Sequence, residues 1–194
     1  VGCAIPAGKR DGIYISHIRN EDNSAVEAIN ELISIAEKAH LPAQVSHIKL
    51  GSQRVWGHAG DILAELEKGR KRGLDLSADI YPYLYWQSTI TALIPTRNWA
   101  DRKIWQTGLD DVGGPDHVLL TTFSPDPAMA GKTIKQLADA SGKDAITVIQ
   151  DIVNRTHGPG QEGKESVVVT AMDDGDLKTF MKDPHVMFCS DGIP

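Results

Sequence analysis

Cysteine is scarce in this chain. Its 194 residues contain two, Cys3 and Cys189, too few to staple a fold of this size with disulfides. A reducing, cytoplasmic setting is the expectation. Long apolar runs are missing as well. None approaches the ~20 residues of a membrane-spanning helix, so no membrane partner is expected. Val1 to Asp11 lacks the apolar core of a signal peptide. Basic charge is in deficit: 20 Lys and Arg face 26 Asp and Glu, a net charge of −6. That balance leaves no basic face for nucleic acid. There is no Gly-x-Gly-x-x-Gly, no Walker A motif and no Gly-x-Ser-x-Gly. Dinucleotide binding, phosphate-loop chemistry and an α/β-hydrolase serine are disfavoured accordingly. Neither cysteine lies in a Cys-x-x-Cys pair or near a His-Asp pattern, so neither is expected to act as a nucleophile.

What is present is an ordinary core-forming composition, with 41% apolar and 24% charged residues. The length fits one domain or a large piece of one. The chain begins with Val1, not Met, and stops just past a strand-like stretch. The expectation is a piece of a longer protein.

Periodicity predicts an alternating pattern at first. Residues 13–17 alternate and are β-rich. Ser24 and Glu27 have capping-box spacing. Behind them Val26, Ile29, Leu32, Ile33 and Ala36 recur at helical spacing. Pro42 ends that helix, because the residue before a proline avoids the α region. Residues 43–47 read as a second strand. Ile62, Leu63 and Leu66 mark a second helix that stops at Gly73, after the cations Arg70, Lys71 and Arg72. Residues 74–80 read as a third strand. This β-α-β-α-β order argues for parallel strands with right-handed crossovers. Residues 84–115, rich in Trp, Thr, Pro and Gly, break the rhythm. Beyond them strands are expected at 117–123, 166–170 and 186–189. Helices are expected at 133–140, 144–155 and 173–181, and a Gly-rich loop at 157–164.

Three strand ends carry side chains with chemistry. His17, His47 and Asp191 each stand where a strand hands over to a loop. In a parallel α/β barrel that end is the active-site face. The histidines sit in matched contexts, Ile15-Ser-His-Ile-Arg19 and Val45-Ser-His-Ile-Lys49, one βα unit apart. Adjacent strands run ~4.8 Å apart, so two imidazoles at equivalent positions could share one ion. Zinc accepts such nitrogens at ~2.0–2.1 Å. A hydrogen-bonded strand-end histidine is the plain alternative for either residue alone; the matched pair favours the metal. Asp191 stays open between metal ligand, general base and opener of an Asx turn. Arg19 and Lys49 each follow a candidate ligand by two residues. They could hold an anionic substrate group, while Arg19 could equally pair with Glu21 on the surface. Tyr81, Tyr83 and Ser88 are hydrogen-bond donors near the mouth of the third strand. His40, His58, His117, His157 and His185 have no matched partner and read as surface or structural residues.

At these residues the sequence resembles the D-aminoacylase (N-acyl-D-amino-acid deacylase) family of the metal-dependent amidohydrolases. Five stretches carry the resemblance: Tyr14-Ile-Ser-His-Ile-Arg-Asn-Glu21; Gln44-Val-Ser-His-Ile-Lys49; Ala78-Asp-Ile-Tyr-Pro-Tyr83; Gly131-Lys-Thr-Ile134 with Ser141-Gly-Lys-Asp144; and His185-Val-Met-Phe-Cys-Ser-Asp-Gly192. They occur in family order and cover nearly the whole chain. The resemblance implies an α/β fold, a partial TIM-like (β/α) barrel with an α+β insertion between its last two strands. Residues 1–83 would be barrel βα units holding strands five to seven. Residues 84–165 would be the insertion, able to act as a lid, and 166–194 the region of the last strand. His17 and His47 would bind zinc, Asp191 would be the catalytic acid/base, and Lys49, Tyr81 and Ser88 would hold a substrate carboxylate.

The family's His-x-His pair, its early cysteine ligand, its first four strands and its small β-sandwich have no counterpart here. Cys3 does not stand at the family's cysteine position. The implied activity is zinc-dependent hydrolysis of a linear amide, deacylation of a small N-acyl-D-amino acid, by the full-length protein. Half a barrel leaves strand edges uncovered, so the isolated chain is expected to be inactive and to self-associate. Two other readings remain: a cyclic amidohydrolase of the dihydroorotase or hydantoinase kind, and a binding module without turnover.

Overall fold

The computed structural model describes residues 1–94, 96–157 and 164–192. In chain order the elements are α1 (Ala4–Gly8), β1 (Tyr14–Ser16), α2 (Ala25–Ala39), β2 (Ala43–Val45), α3 (Ala59–Lys71), β3 (Leu76–Ile80), β4 (Tyr85–Ser88), α4 (Arg102–Asp111), β5 (Val118–Phe123), β6 (Lys132–Thr133), α5 (Ile134–Ser141), α6 (Ala145–Thr156), β7 (Glu165–Thr170), α7 (Asp174–Met181) and β8 (Val186–Phe188). The chain divides into two compact units. One comprises residues 1–84 and 172–194, the other residues 85–171. Among the described residues no helix is long and apolar enough to cross a membrane.

The first unit is built on a sheet of order β1-β2-β3-β8 with every pair parallel. Side chains alternate across a strand, so register decides what each face carries. Ser16, Val45, Ala78 and Val186 lie in one row. With Leu76 and Ile80 this face joins a core of Ile29, Leu32 and Ile33 from α2, Ile62 and Leu66 from α3, and Leu177 and Phe180 from α7. The other face carries Ile15, Gln44, Asp79 and Met187. Ile15 and Met187 are 54% and 48% exposed. A parallel sheet normally has both faces covered; here helices pack on one.

Helix α2 follows the expected apolar stripe, but its start differs. Ser24 makes no side-chain cap. Asn20 does the work instead, its Oδ1 accepting from the amides of Asp22 at 3.1 Å and Ser24 at 2.8 Å. The two residues have box spacing, yet the Ser24 amide that the Glu27 side chain would take in a box is held by Asn20 instead. Helix α3 begins at Ala59, and its cap residue His58 also offers no side-chain bond. Asp176 of α7 supplies that acceptor across the unit. Its Oδ2 accepts from Gly57 N at 2.7 Å and its Oδ1 from Ala59 N at 3.0 Å.

The second unit is an antiparallel sheet of order β4-β7-β5-β6. It packs Phe123, Leu120, Val167 and Val169 against Trp105, Leu109, Ile134, Ile149 and Ile152 from its helices. Three caps set the helix starts: Asp101 for α4, a Thr133–Gln136 capping box for α5 and Asp144 for α6. Glu165 is buried, and both its oxygens accept from Ile90 N, at 3.0 and 3.2 Å. The stretch read as lacking a period contains β4 and α4. Residues 166–170, grouped from sequence with the last strand, pair with β4 and β5 and lie in this unit. Most of the Gly-rich loop expected at 157–164 lies outside the described residues. The fold is mixed α/β, and the described residues form no closed barrel.

Candidate metal centre

Strands β1 and β2 run side by side with Ser16 opposite Val45. The chain carries on from each into the residues that hold chemistry. That geometry brings His17 and His47 together, with ring centroids 4.9 Å apart and planes at 61°. His17 Nδ1 stands 3.2 Å from His47 Nε2. Two nitrogens bound to one tetrahedral zinc at ~2.0–2.1 Å would be roughly 3.3 Å apart, so the spacing suits a shared ion.

A third group completes the cluster. Glu21 lies in the loop between β1 and α2, and its Oε1 is 3.5 Å from His17 Nδ1 and 3.0 Å from His47 Nδ1. His17, Glu21 and His47 form a grouping whose donor atoms all lie within 4.8 Å of one another. Two imidazoles and a carboxylate are donors that zinc accepts.

The surroundings are charged and tightly held. Lys49 is buried, and its Nζ donates to Glu21 Oε1 at 2.7 Å and to the His47 carbonyl at 3.1 Å. The same Nζ is 2.7 Å from His47 Nδ1. Burial pushes the Lys49 ammonium below its ordinary pKa, and the Glu21 charge opposes that shift. Burial would raise the Glu21 carboxyl, but His47 and Lys49 outweigh it and hold the group low. The Glu21 carboxylate raises the His47 imidazole more than burial lowers it. Tyr81 is buried, which raises its hydroxyl far above the ordinary value, with the charges of Glu21 and Asp191 adding to the shift. Its ring lies 5.6 Å from Lys49 Nζ, 6.4 Å from the His47 ring and 6.1 Å from Tyr83.

Backbone strain marks the same place. His47 has φ +40° and Asp191 φ +48°, left-handed values uncommon in residues other than glycine. Asp79 of β3 fixes the first: its Oδ1 accepts from His47 N at 2.7 Å. Its other oxygen accepts from Gln44. Asp191 is exposed just beyond β8, and its charge is felt at His47, Lys49 and Tyr81.

The structure therefore brings His17, His47, Lys49 and Tyr81 together, and of Asp191 it shows a charge that acts on His47, Lys49 and Tyr81. Arg19 is turned elsewhere, in an exposed ion pair with Glu31 of α2 and not with Glu21. Ser88 is exposed on β4, in the second unit. Two residues of the cluster were not singled out from sequence. Glu21 entered only as a partner for Arg19, because nothing in a polar loop announces a bridging carboxylate. Asp79 did give a signal, a charge inside a parallel strand that otherwise carries none.

No family model matches the chain. Among curated proteins it is 28% identical to N-acyl-D-glutamate deacylase of Alcaligenes xylosoxydans xylosoxydans, over 100% of this chain and 34% of that protein. It is 23% identical to D-aminoacylase of the same organism, over 97% of this chain and 33% of that protein. Among solved structures it superposes on N-acyl-D-glutamate deacylase from Bordetella bronchiseptica with a TM-score of 0.77 and 26% identity. That match covers 98% of this chain and 35% of the other. The Bordetella enzyme was solved with zinc and a phosphonate inhibitor that mimics the tetrahedral intermediate of its reaction. The chain thus spans about a third of the length of the relatives it matches. The family read from the five motifs is the one these whole-chain matches return.

Proposed function

We propose that the full-length protein is a zinc-dependent hydrolase of a linear amide, with an N-acyl-D-amino acid as substrate. The observation that carries this is the pair of imidazole nitrogens 3.2 Å apart at adjacent parallel strand ends. The relatives, named as deacylases of such substrates, support it. On this reading the four parallel strands are a sector of a (β/α) barrel, strands five to eight. Residues 85–171 are an insertion between the last two of these strands. The all-parallel order and the site at the C-terminal strand ends support that assignment. The scarcity of cysteine supports a cytoplasmic setting.

His17 and His47 hold the metal. Zinc bound there would supply Lewis acidity, polarising an amide carbonyl and lowering the pKa of water from ~15.7 to about 7. Asp191 takes the proton of the attacking water on its carboxylate and returns it to the leaving amine. Its exposed position beyond β8 leaves it free to meet both groups. Lys49 and Tyr81 orient the substrate carboxylate, one as a point charge and the other as a hydroxyl that burial keeps protonated. Arg19 can serve the same anion only by leaving Glu31. The chain of residues 1–194 alone is inactive, because the open sheet face and the edge of β1 stay uncovered, and it self-associates there.

The test is an amine-release assay on the full-length, zinc-loaded protein, with N-acetyl-D-amino acids, their L-isomers and a cyclic amide. Turnover of the D-substrates, lowered by about 10²–10⁴-fold in Asp191→Asn and abolished in His47→Ala, is the expected outcome. Hydrolysis of the cyclic amide alone, or full activity without His47, would overturn the proposal.

A further inference from the structure

His47 Nδ1 faces two competing neighbours. Lys49 Nζ, a donor, stands at 2.7 Å. Glu21 Oε1, an acceptor, stands at 3.0 Å. One nitrogen cannot serve both in the same way. A neutral imidazole carries its proton on Nδ1 or on Nε2, and the partner of one nitrogen decides the state of the other. If Lys49 donates to Nδ1, the proton sits on Nε2, the nitrogen 3.2 Å from His17 Nδ1. That nitrogen then has no lone pair for a metal. If Nδ1 donates to Glu21, Nε2 is bare and faces His17 with its lone pair.

We propose that Glu21 is a positioning residue that selects the second arrangement. Its Oε1 lies 3.0 Å from His47 Nδ1, within reach of a ring proton there, and accepts from Lys49 Nζ at 2.7 Å. The Lys49 ammonium has the His47 carbonyl at 3.1 Å as a second acceptor, so it need not donate to the ring. One carboxylate thereby draws the lysine proton away from His47 and leaves Nε2 open toward His17. Metal-bound histidines commonly donate their second nitrogen to a carboxylate, and losing that partner weakens metal binding by about 10–100-fold. Here the loss carries a further consequence: without Glu21, the hydrogen-bond partners left to Lys49 among the described residues are the ring nitrogen and the His47 carbonyl. Lys49 donates to Nδ1 and drives the proton onto the nitrogen the metal needs. The inference rests on the metal-site reading above for its role, and on the Glu21–His47–Lys49 triangle alone for its tautomer.

The test uses the metal-free chain and two readouts. Side-chain ¹⁵N NMR reports the His47 tautomer, and chelator competition reports zinc affinity. In the wild type His47 is expected as the Nδ1–H form. In Glu21→Ala it is expected to switch to Nε2–H, with zinc bound about 10–100-fold more weakly. Glu21→Gln keeps an acceptor oxygen and is expected to retain the Nδ1–H form. The double variant Glu21→Ala/Lys49→Met removes the competing donor and is expected to regain zinc affinity over Glu21→Ala, a rescue that a merely structural role for Glu21 would not give. An Nδ1–H tautomer unchanged in Glu21→Ala overturns the proposal. So does a loss of zinc that neither Gln nor the double variant relieves, which would make Glu21 a ligand. A wild type that binds no zinc while Glu21→Ala still switches the tautomer would defeat the metal reading and leave the positioning role standing.

Discussion

Replacing Asp176 by alanine would remove the acceptor that starts α3. Two amides lean on this carboxylate, Gly57 N at 2.7 Å and Ala59 N at 3.0 Å. They differ in what replaces it. Ala59 is 1% exposed, so its amide is left without water, at a cost of about 1.5–3 kcal/mol for a bond to a charged acceptor. Gly57 is exposed and rehydrates, so its share is nearer ~0.5–1.5 kcal/mol. The sum is about 2–4.5 kcal/mol, a large part of the 5–15 kcal/mol that typical domains possess. Asp176→Asn keeps one acceptor oxygen but turns an amide donor toward the second N–H, and about half that loss is expected. Hydrogen exchange followed by mass spectrometry is the right assay, because it reads the two units separately. Peptides spanning 50–66 should lose protection in Asp176→Ala while those of α6 keep theirs. A loss below about 1 kcal/mol in the first set would refute the argument that α3 is capped from α7.

Cys189 offers a pH-dependent check. Burial, with Asp79 next in effect, pushes its thiol from 9.0 to about 11. The thiolate is the reactive form, so at pH 8 iodoacetamide should label Cys189 about 100-fold more slowly than free cysteine, and the rate should climb as pH rises toward 11. Labelling at the rate of free cysteine at pH 8 would refute the shift. In the second unit, a Cβ on Gly108 would meet the Leu93 carbonyl oxygen at 2.5 Å and Ile94 Cγ2 at 3.2 Å. Gly108→Ala should cost about 1–3 kcal/mol by overpacking, read from urea unfolding. Gly60→Ala in α3 meets nothing within 4 Å and should be neutral or stabilising by up to ~1 kcal/mol. Equal effects at the two glycines would count against the packing argument.

The first unit was readable because its signals are local. Ile29, Leu32, Ile33 and Ala36 share one buried helix face, while Val26, read from sequence as part of it, is exposed at its edge; Pro42 and Gly73 punctuate the βα units at their observed ends. The site was readable in part, since matched His contexts on neighbouring strands need only one βα repeat to become adjacent. What stayed hidden depends on distant partners. Tyr85–Ser88 becomes a strand only because Val167–Thr170 pairs with it. The apolar face of α4 was obscured because Trp105 and Leu109 sit in a helix interrupted by Thr107 and Gly108. Ser24 and Glu27 show how a correct local pattern can lose to a nearer acceptor, Asn20. Glu21 was invisible for a related reason: its importance lies in three side chains from two strands, and no spacing along the chain encodes it.

The way the chain leaves and re-enters the first unit bears on how it folds. Met172 N donates to Leu84 O at 3.4 Å, and directly beyond them Tyr85 pairs with Thr170. The second unit therefore begins and ends at neighbouring points. Strands β3 and β8, adjacent in the sheet, must otherwise meet across a loop as long as that whole unit. Closing such a loop costs on the order of 3 kcal/mol more than closing a tight turn. If residues 85–171 fold early, they bring their own ends together and act as that turn. The pairing of β8 then becomes a local event for the rest of the chain. Replacing the unit by a two-residue turn should for the same reason leave the order β1-β2-β3-β8 intact.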